Sequence, residues 1–405
     1  MDWIEVPIGI DADRWVTRRG CRTVLVLVHT VACGQRLLDV VALLRRDLRV
    51  QLVFAAAPSA FSAGVAEFLS NLGGAVLPWE QATRTRFDLI VAASTGGIEH
   101  MHAPVVLLPH GAGFTKFVSA ARTGSRDGRR ETYSLGRQWL VRDGRVLPAA
   151  LVLAHEEERS RLSRVCPEAL EAVVVAGDPC ADRLAASCPK RGAYRRALGV
   201  DDGERLVVAA STWGPASLLG ARPDVLARLV AEAHGSRWRV ALLAHPNVWF
   251  GHGVWQVRSW LEKAVAAGLL VVPVEAEWRG VLIAADAVVS DHGSTCLYAA
   301  GLARPVFLTG DGRADVDPAA PMAELMRRAG ALPADGAILP TVERVCATWR
   351  ADQLAGVAAR ITEFARRMRR CLYELLGLPE PPDPARFDAV AAPTVLDAGV
   401  TGEAA

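Results

Sequence analysis

Three stretches of the chain concentrate side chains suited to chemistry. PHGAGFTK holds His110 and Lys116, HPNVWFGHG holds His245 and Asn247, and VVSDHGST runs from an apolar segment into Asp291, His292, Gly293, Ser294 and Thr295. Two shorter stretches share their setting: GDPCAD, with Gly177 and Asp178, and STWGP, with Ser211, Thr212 and Trp213. An imidazole near its ordinary pKa is matched to taking a proton at neutral pH. A glycine followed by hydroxyls at the start of a helix suits phosphate oxygens, because backbone N–H groups approach closely there and carry partial positive charge.

Each of these stretches follows a short apolar run. The runs are VLVLV (24–28), QLVF (51–54), DLIVAA (88–93), PVVLL (104–108), ALVLA (150–154), AVVVA (172–176), LVVAA (206–210), VALLA (240–244), LLVVP (269–273), AVVS (287–290) and PVFL (305–308). Uniformly apolar strands of this length suit a parallel sheet covered on both faces. Between them, segments such as RLLDVVALLRR, VLARLVAEA and VWQVRSWLEKAVAAG repeat apolar residues at helical spacing. The pattern predicts an α/β protein of two doubly wound domains, divided near residue 150: 1–149, then 150–350. A last helix is expected over 351–376 and a poorly ordered tail over 377–405. In open α/β sheets ligands sit beyond the carboxyl ends of the strands, where all five stretches fall.

Composition removes several function classes. The chain has 405 residues, enough for two cores, and a formal charge of +2, too small for a dedicated nucleic-acid binder. Hydrophobic residues make up 51%, yet no uncharged apolar segment reaches the ~20 residues that span a bilayer. The opening MDWIEVPIGIDADRW carries acids where a signal peptide would be basic, so a cytoplasmic protein is expected. Eight cysteines without a CxxC pair suggest neither a disulfide frame nor a zinc knot. No histidine pair has the close spacing of a zinc site, and no G-x-S-x-G elbow follows a strand.

The order of motifs resembles the CDP-glycerol glycerophosphotransferases of teichoic acid synthesis: HG then Lys116, G-x-P-x-x-D at Gly177, Pro179 and Asp182, strand-end hydroxyls at Ser211 and Thr212, His245-Pro246, and Ser290-Asp291 leading to Ser294. HGST is also similar to the phosphate seat of nucleotide-sugar glycosyltransferases and UDP-GlcNAc 2-epimerases. The resemblance implies the GT-B architecture, two Rossmann-like domains facing across a cleft, with the last helix crossing back to the first domain. It implies that His110 deprotonates an acceptor hydroxyl, with Lys116 beside it, and that His245 contacts a diphosphate. Gly177, Asp178, Ser211, Thr212, Trp213, Asn247 and the Asp291–Thr295 stretch would complete the donor site in the second domain. No metal and no cofactor are implied, only a nucleotide-linked donor and a hydroxyl acceptor. His292-Gly293 and Trp213 depart from that pattern, standing where those transferases often carry an aromatic and an arginine.

Plainer readings stand beside these. His110 could cap a turn, Asp182 could be an N-cap, Trp213 could fill an interface rather than stack on a base or sugar, and His29 and His252 read as packing. The basic clusters RTGSRDGRR (122–130) and ARRMRR (365–370) read as solvated surface, or as a peripheral contact for an anionic, lipid-linked acceptor. The expected function is transfer of a glycosyl or polyol-phosphate group in cell-envelope or natural-product assembly. The rivals are a 2-epimerase, which would need an acid such as Glu99 or Glu131 beside His110, and a binding module without turnover.

Overall fold

The computed structural model describes residues 4–8, 12–117, 132–310, 313–354, 357 and 363–396. Strands β1 (Arg22–Val28), β2 (Val50–Ala56), β3 (Val76–Leu77), β4 (Leu89–Ala92), β5 (Val105–Leu107), β8 (Ala150–Leu153) and β9 (Val173–Val175) form one parallel sheet in the order β3-β2-β1-β4-β5-β8-β9. β6 (Val141–Arg142) and β7 (Arg145–Val146) make a separate antiparallel hairpin. A second parallel sheet runs β12-β11-β10-β13-β14-β15. Its strands are β10 (Arg205–Ser211), β11 (Trp238–Ala244), β12 (Leu270–Val271), β13 (Ala287–Ser290), β14 (Val306–Leu308) and β15 (Gly330–Ala331).

Burial explains why uniformly apolar runs became these strands. Val24 to Val28 in β1 and Val207 to Ala209 in β10 are wholly shielded, as central strands covered on both faces must be. Helices then start at local caps. The Thr30 side chain accepts from Cys33 N at 3.1 Å to open the helix Val31–Val41, and Ser217 accepts from Gly220 N to open Leu218–Ala221.

The chain divides into two compact units, Met1–Asp182 with Arg360–Phe387, and Arg183–Ala359 with Asp388–Ala405. The division expected at residue 150 is therefore too early. β8 pairs with β5, and β9 with β8, so ALVLA and AVVVA complete the first sheet. An apolar run announces a buried strand but not the sheet that receives it, and the polar 109–149 segment resembles a linker. Gly177 and Asp178 consequently belong to unit 1, not to the nucleotide-holding second domain.

The continuous helix expected over 351–376 is also corrected. A 3-10 turn covers Ala351–Leu354, and the helix Phe364–Leu376 starts after Glu363, whose backbone (φ −152°, ψ 25°) is not helical. That helix belongs to unit 1. Asp182, read as a possible cap, accepts from Ala365 N at 3.0 Å at its first turn. Part of the expected disordered tail is ordered through residue 396. Phe387 stacks on Phe364 with centroids 6.4 Å apart, Val390 N donates to Ser187 Oγ at 2.9 Å, and Leu396 N donates to Val271 O at 2.9 Å. Prolines keep this segment from forming elements, which is why it resembles a tail, but its apolar side chains still find cores. Residues 397–405 lie outside the described residues.

Candidate functional site

In unit 2, β10 lies between β11 and β13, so the loops after it and after β13 open at the point where strand order reverses. Trp213 and His245 meet along this edge. His245, immediately after β11, precedes a proline and is held extended (φ −57°, ψ 144°). Its Nδ1 accepts from Asn247 N at 3.1 Å. A ring accepting at Nδ1 carries its proton on Nε2 when neutral, so His245 presents an N–H donor. Trp213 is 40% exposed, with its ring centroid 6.5 Å from that of His245.

Asp291 has a different place from the one expected. It is 1% exposed and accepts from Thr212 N at 2.8 Å, Thr212 Oγ1 at 2.9 Å, Leu218 N at 2.9 Å and Gly293 N at 3.1 Å. Its oxygens are spent on clamping the loop after β10 to the loop after β13, and a carboxylate facing a phosphate would repel it. Ser211 is likewise absorbed: its Oγ donates to Thr212 O at 2.9 Å and accepts from Leu219 N at 3.1 Å. Gly293 is required by close approach, since a Cβ there would lie 2.4 Å from Thr212 Cγ2. His292 is buried behind it. Ser294 and Thr295, half-buried, begin the helix Ser294–Gly301, whose N-cap Gly293 offers no side-chain acceptor to the first-turn N–H groups. These two hydroxyls and N–H groups suit an anion.

In unit 1, His110 follows β5 and reaches solvent. The protein around it disfavours the charged ring, and Arg36 and Lys116 add positive charge. Together they push its pKa down to about 4 against a backbone hydrogen bond at Ala93 that raises it. The ring is neutral at pH 7. Its loop is held by two buried groups that the sequence did not single out. Arg36 makes a bidentate pair with Asp178 (2.7 and 3.0 Å) and donates to Gly111 O. Asp178, which also accepts from Cys180 N at 2.7 Å, therefore supports the His110 loop instead of a donor. Glu158 accepts from Phe114 N and Ala154 N, both at 2.7 Å. Gly113, at φ +84°, sits where a Cβ would come within 2.2 Å of Glu158 Oε1. Arg36 left one faint signal, a charge among the apolar positions of its helix; Glu158 left none, since EEER reads as solvated surface.

Unit 1 also holds a cavity of about 330 Å³ at the ends of β1, β2 and β4. His29, Ser59, Thr95, Glu99, Trp139 and Arg142 are among its lining. His29 is 3% exposed, with Nε2 2.6 Å from Gly96 O, and burial lowers its pKa. The STGG after DLIVAA obeys the same strand-end rule as the other stretches and was legible. His110 is not among the lining residues, and Glu131 and the cluster 122–130 lie outside the described residues. The second basic cluster is committed to ion pairs: Arg366 and Arg367 to Glu363 at 2.8 and 3.3 Å, Arg369 to Glu380 and Asp383 at 3.3 Å each. Lys116 is half-buried, and its carbonyl accepts from Tyr133 N at 2.9 Å. His252 packs edge-on against Trp260, with centroids 4.9 Å apart. Among the described residues no helix is long and apolar enough to cross a membrane.

The sequence matches no protein-family model and no curated protein. Solved structures do match. The wall teichoic acid polymerase TagF superposes with a TM-score of 0.58 at 10% identity, over 88% of this chain and 88% of that one. MnaA of S. aureus, solved with UDP, gives 0.56 at 11% identity over 90% and 100%. HepE of Anabaena, solved with UDP and glucose, gives 0.50 at 14% over 88% and 99%. The fold is that of GT-B enzymes. At such identities the likeness concerns the fold alone, two Rossmann-like domains, and the chemistry must come from the residues.

Proposed function

We propose that this chain is a transferase that moves a glycosyl or polyol-phosphate group from a nucleotide-diphosphate donor to an acceptor hydroxyl. The observation that carries the reading is the edge of unit 2. There the His245 Nε2–H, the Trp213 ring, and the hydroxyls and first-turn N–H groups at Ser294 and Thr295 occupy the strand ends where the sheet order reverses. His245 and the helix start would hold the diphosphate, their hydrogen bonds strengthening as charge builds on the leaving group. Trp213 would stack on the base or sugar. Thr212 and Gly293, clamped by Asp291, would shape the seat. Asn247 would act by fixing the His245 tautomer.

His110 would take the acceptor proton. At a pKa of about 4 it is neutral but a weak base in the free protein. Binding of an anionic substrate against Lys116 would cancel part of the positive field and strengthen it. The scheme needs no metal or cofactor. A cytoplasmic enzyme of envelope or natural-product assembly, with an acceptor that can be lipid-linked, fits this chemistry. The epimerase reading is less favoured, because Glu99 is drawn to Arg142 at 3.5 Å in a cavity that His110 does not line.

A thermal-shift screen of UDP, CDP, GDP and dTDP and their linked donors tests the reading, since a ligand that binds the native state stabilises it. One nucleotide class should raise the melting temperature by several degrees. A flat response to all of them would favour a binding module of another kind.

A further inference from the structure

The cavity of unit 1 has no role in the chemistry described so far. It lies beyond the carboxyl ends of β1, β2 and β4, and β1 and β4 are the neighbours between which strand order reverses in this sheet. That is the favoured ligand position of a doubly wound sheet, and about 330 Å³ is within the lower range of small-molecule sites.

Its lining defines the ligand chemistry. Glu99 and Arg142 lie 3.5 Å apart and offset each other, while burial keeps His29 neutral. The site therefore offers no net charge to an anion. Ser59, Thr95 and the Glu99–Arg142 pair supply donors and acceptors together, as a ligand made of hydroxyls requires. Tyr133 and Trp139, tilted at 56° with centroids 5.6 Å apart, supply an apolar aromatic wall. A neutral ring with hydroxyls at its edge and C–H groups on its face satisfies both requirements.

We propose that this cavity seats a neutral carbohydrate or cyclic polyol ring. The site does not include His110 and does not rest on the transferase reading.

The test is saturation-transfer NMR on the full chain, without nucleotide, using the methyl glycosides of glucose, galactose, mannose and N-acetylglucosamine, and inositol. At least one probe should bind saturably. Trp139→Ala should weaken it about tenfold, the scale expected for losing a buried aromatic contact, while leaving the nucleotide thermal shift unchanged. Glu99→Gln, a nearly isosteric change, should weaken it several-fold and serves if Trp139→Ala does not fold. The proposal is overturned if no probe binds, if both variants bind as wild type does, or if His245→Ala alone abolishes probe binding. A nucleotide shift without probe binding overturns this proposal and leaves the transferase reading intact. Probe binding without any nucleotide shift does the reverse, supporting the ring site and counting against the transferase reading.

Discussion

At the scale of single residues, His110 shows how surroundings set the basicity of an imidazole. Desolvation lowers its pKa most, and its two cationic neighbours, Arg36 and Lys116, lower it further. In the proposed transfer the neutral ring would be the working base, so activity should fall as pH drops through that pKa. The acid limb of kcat/KM, which reports the free enzyme, should lie at lower pH than that of kcat, measured with anionic substrate bound. Lys116→Ala removes a positive charge and should move the kcat/KM limb upward; an unmoved limb would contradict the electrostatic account. Among the other candidates, sequence marked His245 and Asp291 equally, and the structure separates them. Asp291 faces four donors and fixes a turn, whereas His245 accepts at Nδ1 from Asn247 N in its own helix. Residue type and strand-end position were legible. Which way each side chain is committed depends on partners tens of residues away, such as Thr212 and Leu218, and was not.

At the scale of elements, the loop after β5 depends on the helix Glu156–Val165 that follows β8. Glu158, fully buried, holds Phe114 N and Ala154 N and pairs with Arg161 at 3.3 Å. Truncating it strands at least two buried N–H groups, at about 1–3 kcal/mol each. Glu158→Ala should therefore cost about 3 kcal/mol or more by denaturant unfolding. Because the loop carries His110, it should also lower kcat while leaving nucleotide affinity intact, and a loss confined to nucleotide affinity would refute this coupling. All eleven strands expected from apolar runs are present, because burial on both faces writes itself directly into composition. The strands missed, β3, β6, β7 and β15, are two residues long and, unlike the equally short β12 in LLVVP, lie in no apolar run of four or more. The helix boundaries at 41 and 364 were missed for another reason: helical periodicity continues past both ends, and backbone turns stop the helices there.

At the scale of the whole molecule, two units repeat one plan, a parallel sheet with the candidate groups beyond the carboxyl ends of its strands. Sequence identified that plan but assigned β8 and β9 to the wrong unit, since pairing between β5 and β8 is a long-range choice with no local mark. The correction reassigns Asp178 from substrate contact to support and leaves unit 2 with a shorter list of groups for a nucleotide: Trp213, His245, Ser294 and Thr295. The assignment of the nucleotide to that edge is the central claim, and calorimetric titration of UDP and CDP into wild type, His245→Ala and His110→Ala tests it most directly. One nucleotide should bind the wild type, about tenfold more weakly to His245→Ala through loss of a charge-assisted hydrogen bond, and unchanged to His110→Ala. Equal affinity in wild type and His245→Ala, or no binding of any nucleotide, would contradict it.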